Sequence, residues 1–413
     1  MTRRVVITGL GVISPVGQNP GEFFGNLMAG RSGIRRLQAD FAEKLACRIA
    51  AQVTGFDPQA HFAKTQLSGM ERFSQMALVA ARQAVEDAAL ELGEQEQTRA
   101  GVYLGTGMGG ASTLEEGYLE IFQRENPRVK PLSVLLGMNN AAASHISIAY
   151  RLQGPNLTYS TACASSAIAI GEACRQIRHG YADVMLAGGS EALLTHGVMK
   201  AWEALRTMAQ EDADDPAASC KPFSRDRSGL VLGEGAAVLV LEDAGRAMRR
   251  GARIYAEIAG YDSSSDASHI AKPDAAGQAR GMFNALRDAR MDPQDIHYIN
   301  AHGTATLAGD VEETKAIKQV FGEYALRVPV SSTKSMHGHL MGATGAVEFM
   351  AAVLALQHNA VPPTINLHHP DPECDLDYVP NEGRRNVALD AVMSNSFAFG
   401  GSNAVLIARR FRG

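Results

Sequence analysis

The chain has 413 residues, 46% of them hydrophobic, with 41 glycines, too long for one small core and suited to two domains or one large double α/β unit. Its 39 basic and 44 acidic residues nearly balance at a net charge of −5, which excludes the basic footprint of a nucleic-acid binder. The five cysteines are irregularly spaced with no Cys-x-x-Cys pair, which excludes a disulfide framework and points to a reducing cytoplasm.

Val5–Thr8 reads as a first strand rather than a signal peptide, because its apolar stretch is short and broken by Thr8, Gly9 and Ser14. No segment approaches the ~18 uninterrupted apolar residues of a membrane span. A helix is expected over Glu71–Leu92, a strand over Gly101–Leu104, a buried helix over Ala164–Arg178 and a strand over Val184–Ala187. Region 206–222 reads as an exposed excursion. Gly229–Leu241 reads as adjacent buried strands with a glycine bend, the second being Ala236–Leu241. The charged stretch Glu242–Arg253 is expected to hinge two halves, residues 1–250 and 251–413. In the second half, strands are expected at Ile254–Ile258, Tyr298–Asn300, Val328–Val330 and Ala404–Ala408, and helices at Gln278–Ala289, Asp310–Phe321 and Gly345–Gln357. The order is α/β throughout, and no internal repeat is legible by direct comparison of residues.

Cys163 follows Gly154-Pro155-Asn156-Leu157-Thr158-Tyr159-Ser160-Thr161-Ala162, a turn and a short β-prone run, and stands at the start of the helix Ala164–Arg178. Free N–H groups and the positive end of the helix dipole favour a thiolate there. A free cysteine is also commonly a buried packing residue, and both readings fit this local context. Three glycine-rich segments of the second half carry polar residues near predicted strand ends, where ligands gather in α/β sheets. They are Asn300–Thr306 with His302, Ser331–Gly345 with Lys334, His337 and His339, and Asn395–Asn403. A zinc site using His337-Gly338-His339 with Cys163 or His302 is the metal alternative. No carboxylate lies at ligand spacing, and Lys334 is a poor neighbour for a cation, so no metal is expected.

Taken together, Gly154-Pro155-Asn156, Ser160-Thr161-Ala162-Cys163-Ala164-Ser165-Ser166, Asn300-Ala301-His302-Gly303-Thr304, Lys334-Ser335 with Gly338-His339, Gly345-Ala346-Val347-Glu348, and Asn395-Ser396-Phe397 with Phe399-Gly400-Gly401 and Asn403 resemble the β-ketoacyl-ACP synthase family. The likeness is greatest to its synthase II branch, which includes type II polyketide ketosynthases, and it runs from Val5 to Ile407 in the family's order. The resemblance implies a thiolase-like fold, two similar α/β halves in five α-β-α-β-α layers, with Cys163 from the first half and the histidines from the second. It implies a decarboxylative Claisen condensation of malonyl-ACP with an acyl chain held on Cys163, in fatty acid elongation or, alternatively, in a polyketide or aryl polyene pathway. By resemblance, the N–H groups of Cys163 and Phe399 form the oxyanion hole, and His302 and His339 stabilise the enolate. Lys334 and Glu348 support the histidines, Thr304 and Thr306 hold the pantetheine arm, and Gly400 belongs to the same glycine loop beside the substrate.

No cofactor is implied, since substrates arrive on the phosphopantetheine of an acyl carrier protein. The implied partners are that carrier protein and a second subunit, identical or homologous, with no nucleic acid and no membrane. Lys64 and Arg206 alone match basic positions of the family's docking face, so the carrier-protein patch is thinner than usual. Met108 stands where a family gate residue closes the acyl tunnel, and Pro131–Asn140 matches the region lining that tunnel at the dimer interface, with atypical residues. A non-catalytic partner subunit would lack the nucleophile. A thiolase would carry a second cysteine in the glycine loop, and relatives using Cys-His-Asn would lack the second histidine. His337 is expected to be supporting or inert. His145, His179, His196, His269, His297 and His358 are expected to be ordinary packing or surface residues, and His368-His369 an exposed turn.

Overall fold

The computed structural model describes residues 3–413. Its central sheet is built from ten strands: β1 Val5–Ile13, β2 Ala100–Gly105, β3 Asn156–Tyr159, β4 Val184–Glu191 and β5 Gly235–Asp243 in the first half. The second half supplies β6 Ala256–Ser265, β7 Tyr298–Asn300, β8 Val330–Ser331, β9 Ala391–Ala398 and β10 Ser402–Arg409. The longer helices are α1 Arg72–Asp87, α2 Ala141–Tyr150, α3 Ser165–Arg178, α4 His196–Leu205, α5 Ala275–Ala289, α6 Leu307–Phe321 and α7 Thr344–His358.

The strand order is β8-β7-β9-β10-β6-β1-β5-β4-β2-β3. Outward from the β1–β6 junction, each half therefore presents its first, fifth, fourth, second and third strand. Orientations repeat as well. The first–fifth and fourth–fifth pairs are antiparallel, and the second strand lies parallel to the fourth and the third, in both halves. The junction is antiparallel, with Val6 opposite Glu257 and Ile7 opposite Ala256. A duplication that no residue comparison shows is thus plain in the connectivity.

Side-chain alternation along these strands builds the layers. Tyr103, Met185, Leu239, Tyr298, Val392 and Leu406 face one shared core with α3 and α7. Val102, Leu104, Leu186 and Val238 face the opposite way, onto α1 and α2, while Ile299, Met393, Val405 and Ile407 face α5 and α6. Helix pairs and strand sets therefore alternate in five layers, as the resemblance implied. The middle helices are the most deeply buried: every residue of α7 from Thr344 to Leu356 is covered, and a helix apolar on all faces belongs inside. Small residues let the two approach closely. A Cβ on Gly345 would lie 2.8 Å from the Ala167 Cβ.

Several expectations change. The stretch Glu242–Arg253, between the two halves, holds the end of β5 and a short helix, Ala244–Arg249, and the fully buried Glu242 takes ion pairs from Arg246 and Arg250. Of residues 229–241 only those from Gly235 onward, in β5, join the sheet; Leu230 and Leu232 make isolated bridges to Met208 and His339. In 206–222 the acidic tip Asp214–Asp215 is exposed, but Met208, Ala209 and Cys220 are tucked in. Strand β8 begins two residues beyond the expected Val328. Strand β9 reads as a polar loop in the sequence because its Ser394, Asn395 and Ser396 are buried polar strand residues. Beside the junction the Arg4 Nη2 donates to the Arg412 carbonyl at 2.9 Å.

Candidate active site

Cys163 sits between β3 and α3. The turn before it places Ala162 at φ +48°, a left-handed conformation that costs an L-residue energy. Ser165 holds that turn: its Oγ donates to the Ala162 carbonyl (2.6 Å) and accepts from the Thr161 N–H (2.9 Å). No side chain caps α3, which leaves its amino end to the cysteine. Burial works against the expected thiolate. Burial pushes the Cys163 thiol up to about 12, outweighing Lys334 and the N–H groups of Phe399 and of Cys163 itself, which pull it down. Removal from water costs an anion more than one partial helix charge returns. Cys220 and Cys174 are raised by burial too, so geometry and not acidity singles out Cys163.

The histidines come from the carboxyl ends of β7 and β8, adjacent parallel strands. His302 follows β7, and Glu313 of α6 grips its loop by accepting from the N–H groups of His302 (2.8 Å) and Gly303 (2.7 Å). Beyond β8, Lys334–His337 forms one helical turn, Gly338 turns the chain at φ +69°, and His339 follows. The His339 N–H donates to the Val231 carbonyl at 2.7 Å. Its Nε2 lies 2.9 Å from the Cys163 Sγ, and its Nδ1 lies 2.9 Å from the Thr344 Oγ1 at the start of α7. The two imidazoles meet edge to face, with centroids 5.6 Å apart.

Lys334 is buried and reaches three groups: the Glu348 Oε1 at 2.6 Å, the His302 carbonyl, and the His302 Nδ1 at 3.5 Å. A lysine can only donate, so Nδ1 of His302 accepts and its proton stands on Nε2. The Thr344 hydroxyl, able to donate or to accept, holds Nδ1 of His339 and leaves its Nε2 toward Cys163. Burial, reinforced by the nearby Lys334 charge, holds both rings well below the usual histidine range. Both are therefore neutral N–H donors at physiological pH. Burial also raises Glu348 to about 7, opposed by Lys334.

Cys163, His302, His339, Thr304 and Thr306 open on one cavity of about 290 Å³, whose wall also carries Phe399, Trp202 and Arg206. The Oγ1 atoms of Thr304 and Thr306 are 3.0 Å apart. Gly400 lies just outside the lining, exposed, with φ +88° and its N–H on the Ile270 carbonyl. Met108 does not line this cavity. It is 43% exposed, on a loop packed against residues 136–139. Lys64 opens a short exposed helix away from the cavity.

One ligand atom each of Cys163, His302 and His339 lies within 4.8 Å of the others, a spacing a metal could bridge, but the Lys334 ammonium beside them opposes a cation. His337 is unsuited to complete such a set: its ring nitrogens are engaged by the Gly338 carbonyl and the Thr333 hydroxyl, and burial lowers it to about 3.

Several residues that shape the site carry no sequence motif. Thr344 and Glu313 act through contacts visible only in three dimensions. So does the fully buried Glu191, which accepts from the N–H groups of Gly107, Met108 and Gly342 and ties the Met108 loop to the His339 loop. Lys272 and Trp202 reach the cavity wall from segments that read as unremarkable.

Residues 2–247 match the family described as beta-ketoacyl synthase, N-terminal domain, and residues 255–368 its C-terminal domain. The 3-oxoacyl-[acyl-carrier-protein] synthase 2 of Coxiella burnetii is 44% identical over 410 residues, covering 99% of each chain. A solved ketosynthase, bound to a hexaketide and in complex with its type II polyketide acyl-carrier protein, superposes over both full chains with a TM-score of 0.92 and 35% identity. The ishigamide ketosynthase/chain length factor gives a TM-score of 0.92 at 36% identity, again over both full chains. Among the described residues, no helix is long and apolar enough to cross a membrane.

Proposed function

This chain belongs to the β-ketoacyl synthase family, and from that premise we propose that it is a 3-oxoacyl-[acyl-carrier-protein] synthase of fatty acid elongation. Residues 1–250 supply the nucleophile and residues 251–413 the histidines. The observation that carries the reading is the trio itself: a thiol 2.9 Å from one imidazole, with a second imidazole in edge contact, all three opening on a single cavity.

The chemistry follows from that arrangement. The Cys163 sulfur attacks the carrier-borne acyl thioester, the carbon–sulfur bond to pantetheine breaks, and the pantetheine sulfur leaves with the proton. The N–H groups of Cys163 and Phe399 hold the transient oxyanion. Malonyl thioester then takes the vacated arm site, aligned by Thr304 and Thr306 beside the Gly400 loop. Loss of its carboxylate as carbon dioxide leaves an enolate whose oxygen accepts from His302 and His339. The enolate carbon attacks the acyl-Cys163 carbonyl; a carbon–carbon bond forms, the carbon–sulfur bond breaks, and the Cys163 sulfur leaves as a thiolate that takes one proton from solvent to restore the thiol. Lys334 and Glu348 keep His302 in its donating tautomer. No cofactor beyond the carrier's own pantetheine enters.

The partner is an acyl carrier protein, met by Arg206 at the cavity wall and by Lys64. Phe122, Val134 and Ile148 are each at least 75% exposed, with Tyr118 and Leu157 half covered or less, on residues 118–157 ending in the sheet's edge strand β3. An apolar patch of that kind marks an interface, so a second subunit, identical or homologous, covers it and brings a neighbour to the Met108 gate. We place the enzyme in the cytoplasm, on its five unpaired cysteines.

The test is elongation of a ladder of acyl-ACPs with malonyl-ACP, the products weighed by mass spectrometry. One two-carbon extension per turnover is expected, and absence of product from every acyl-ACP would overturn the reading. The likeness to a ketosynthase bound to a hexaketide favours a second reading. Accumulation of unreduced poly-β-keto products on one carrier would establish it.

A further inference from the structure

The chain contains a single tryptophan, and it stands on the wall of the catalytic cavity. Trp202, in the middle of α4, stacks in an offset arrangement on Phe399, with ring centroids 5.9 Å apart and planes 21° from parallel. Among the described residues, no other aromatic ring meets Phe399. Phe399 is the first residue of the three-residue turn between β9 and β10, where Ala398 pairs with Ser402, and its backbone N–H, one of the two oxyanion donors proposed above, belongs to a residue that lines the same cavity as Cys163.

That N–H has an unusually loose mount. Gly400 and Gly401, at φ +88° and +73°, follow it directly, so the turn has two permissive joints. One side of the turn is tied to the segment beyond β6: the Gly400 N–H donates to the Ile270 carbonyl at 2.7 Å, and the Asp266 N–H to the Gly401 carbonyl at 2.8 Å. The indole of Trp202 stands against the Phe399 ring itself. Helix α4 is in turn a firm base, because Glu115 accepts from Thr195 (2.6 Å), His196 (3.0 Å) and Gly197 (2.7 Å) at its amino end.

Resting on the acyl-transfer reading above, we propose that Trp202 is a positioning residue for acyl transfer, its indole fixing the Phe399 ring and thereby aiming the Phe399 N–H at the oxyanion that forms over Cys163. It acts through Phe399 and does not touch the reacting atoms. A stacked aromatic pair contributes enough to alter a rate about 3- to 10-fold when lost, and a misaimed oxyanion donor loses its effect on the transition state while leaving ground-state binding intact.

The test is transfer of an acyl group from acyl-carrier protein to Cys163, followed by intact mass in wild type, Trp202→Phe, Trp202→Leu, Phe399→Ala and the Trp202→Leu/Phe399→Ala pair. Trp202→Leu should slow transfer about 3- to 10-fold with KM nearly unchanged, and Trp202→Phe, which keeps a ring face, should restore most of the rate. In the Phe399→Ala background the leucine substitution should cost nothing further. An equal cost in both backgrounds, or a phenylalanine variant as slow as the leucine one, would overturn the proposal. Should the leucine variant misfold, fluorescence decides, because Trp202 is the only indole: its emission maximum should move in Phe399→Ala, and an unmoved maximum would mean that the rings do not touch. Failure of the wild type to acylate at Cys163 would overturn the acyl-transfer reading and this proposal together, whereas normal wild-type acylation with any of the adverse outcomes sinks Trp202's role alone.

Discussion

Cys163 is a thiol that burial has pushed up to about 12, and this has a measurable signature. At neutral pH the free enzyme holds it protonated, and the thiolate fraction grows about tenfold with each pH unit. Alkylation of Cys163 by iodoacetamide should therefore climb with that slope from about pH 6 to about pH 9 without levelling; a plateau near neutrality would mean that the α3 dipole prevails. His302 and His339 are held low, so on lowering the pH they stay neutral donors through the ordinary histidine range. Replacing either by alanine should reduce carbon dioxide release from malonyl-ACP by ~10²–10³-fold and leave Cys163 acylatable. Persistence of decarboxylation near the wild-type rate would remove that histidine from the enolate site. All these reactive residues were legible in the sequence, because each sits in a glycine-framed motif at a strand end or helix start. Thr344 and Glu191 were not. Their roles rest on contacts across 5 and 151 residues respectively, and a threonine or glutamate in a helix or strand run has no local mark.

At the scale of elements, the distance between nucleophile and histidine is set by how α3 and α7 cross. Cys163 precedes α3, Thr344 begins α7, and Ser166 accepts from the Ala346 N–H at 2.9 Å between them. Gly345→Ala would press a methyl group to 2.8 Å from the Ala167 Cβ and 2.9 Å from its backbone nitrogen. Over-packing of this kind costs about 1–3 kcal/mol and should widen the Cys163–His339 gap. A lowered thermal midpoint with a disproportionate loss of acylation rate is expected, and a variant matching wild type in both would show the crossing to be slack. Helix boundaries were readable within a few residues where caps and apolar runs coincide. Strand β9 was not, because buried Ser394, Asn395 and Ser396 imitate a loop. Nor was α4, a short helix of ten residues that opens on a histidine and a glycine and has no side-chain cap.

For the whole molecule, the exposed apolar surface around Phe122, Val134 and Ile148 predicts a sedimenting species near twice the 44.0 kDa chain mass, alone or with a homologous subunit. A stable, active monomer would contradict it. Two halves were expected from length and motif order, but their equivalence was hidden, since the strand order is a property of hydrogen bonding that diverged residues preserve without displaying. The same connectivity makes the polypeptide nearly a closed ring. Each half enters at the central junction, and Arg4 and Arg412 touch there. Joining the ends by a short linker and opening the chain at the exposed Gly251, which lies in a turn at φ +68°, would reverse the order in which the halves are synthesised without displacing any strand. Such a permutant should fold and acylate Cys163. An inactive but folded permutant would mean that the order of synthesis, and not the final connectivity, brings the thiol to its histidines.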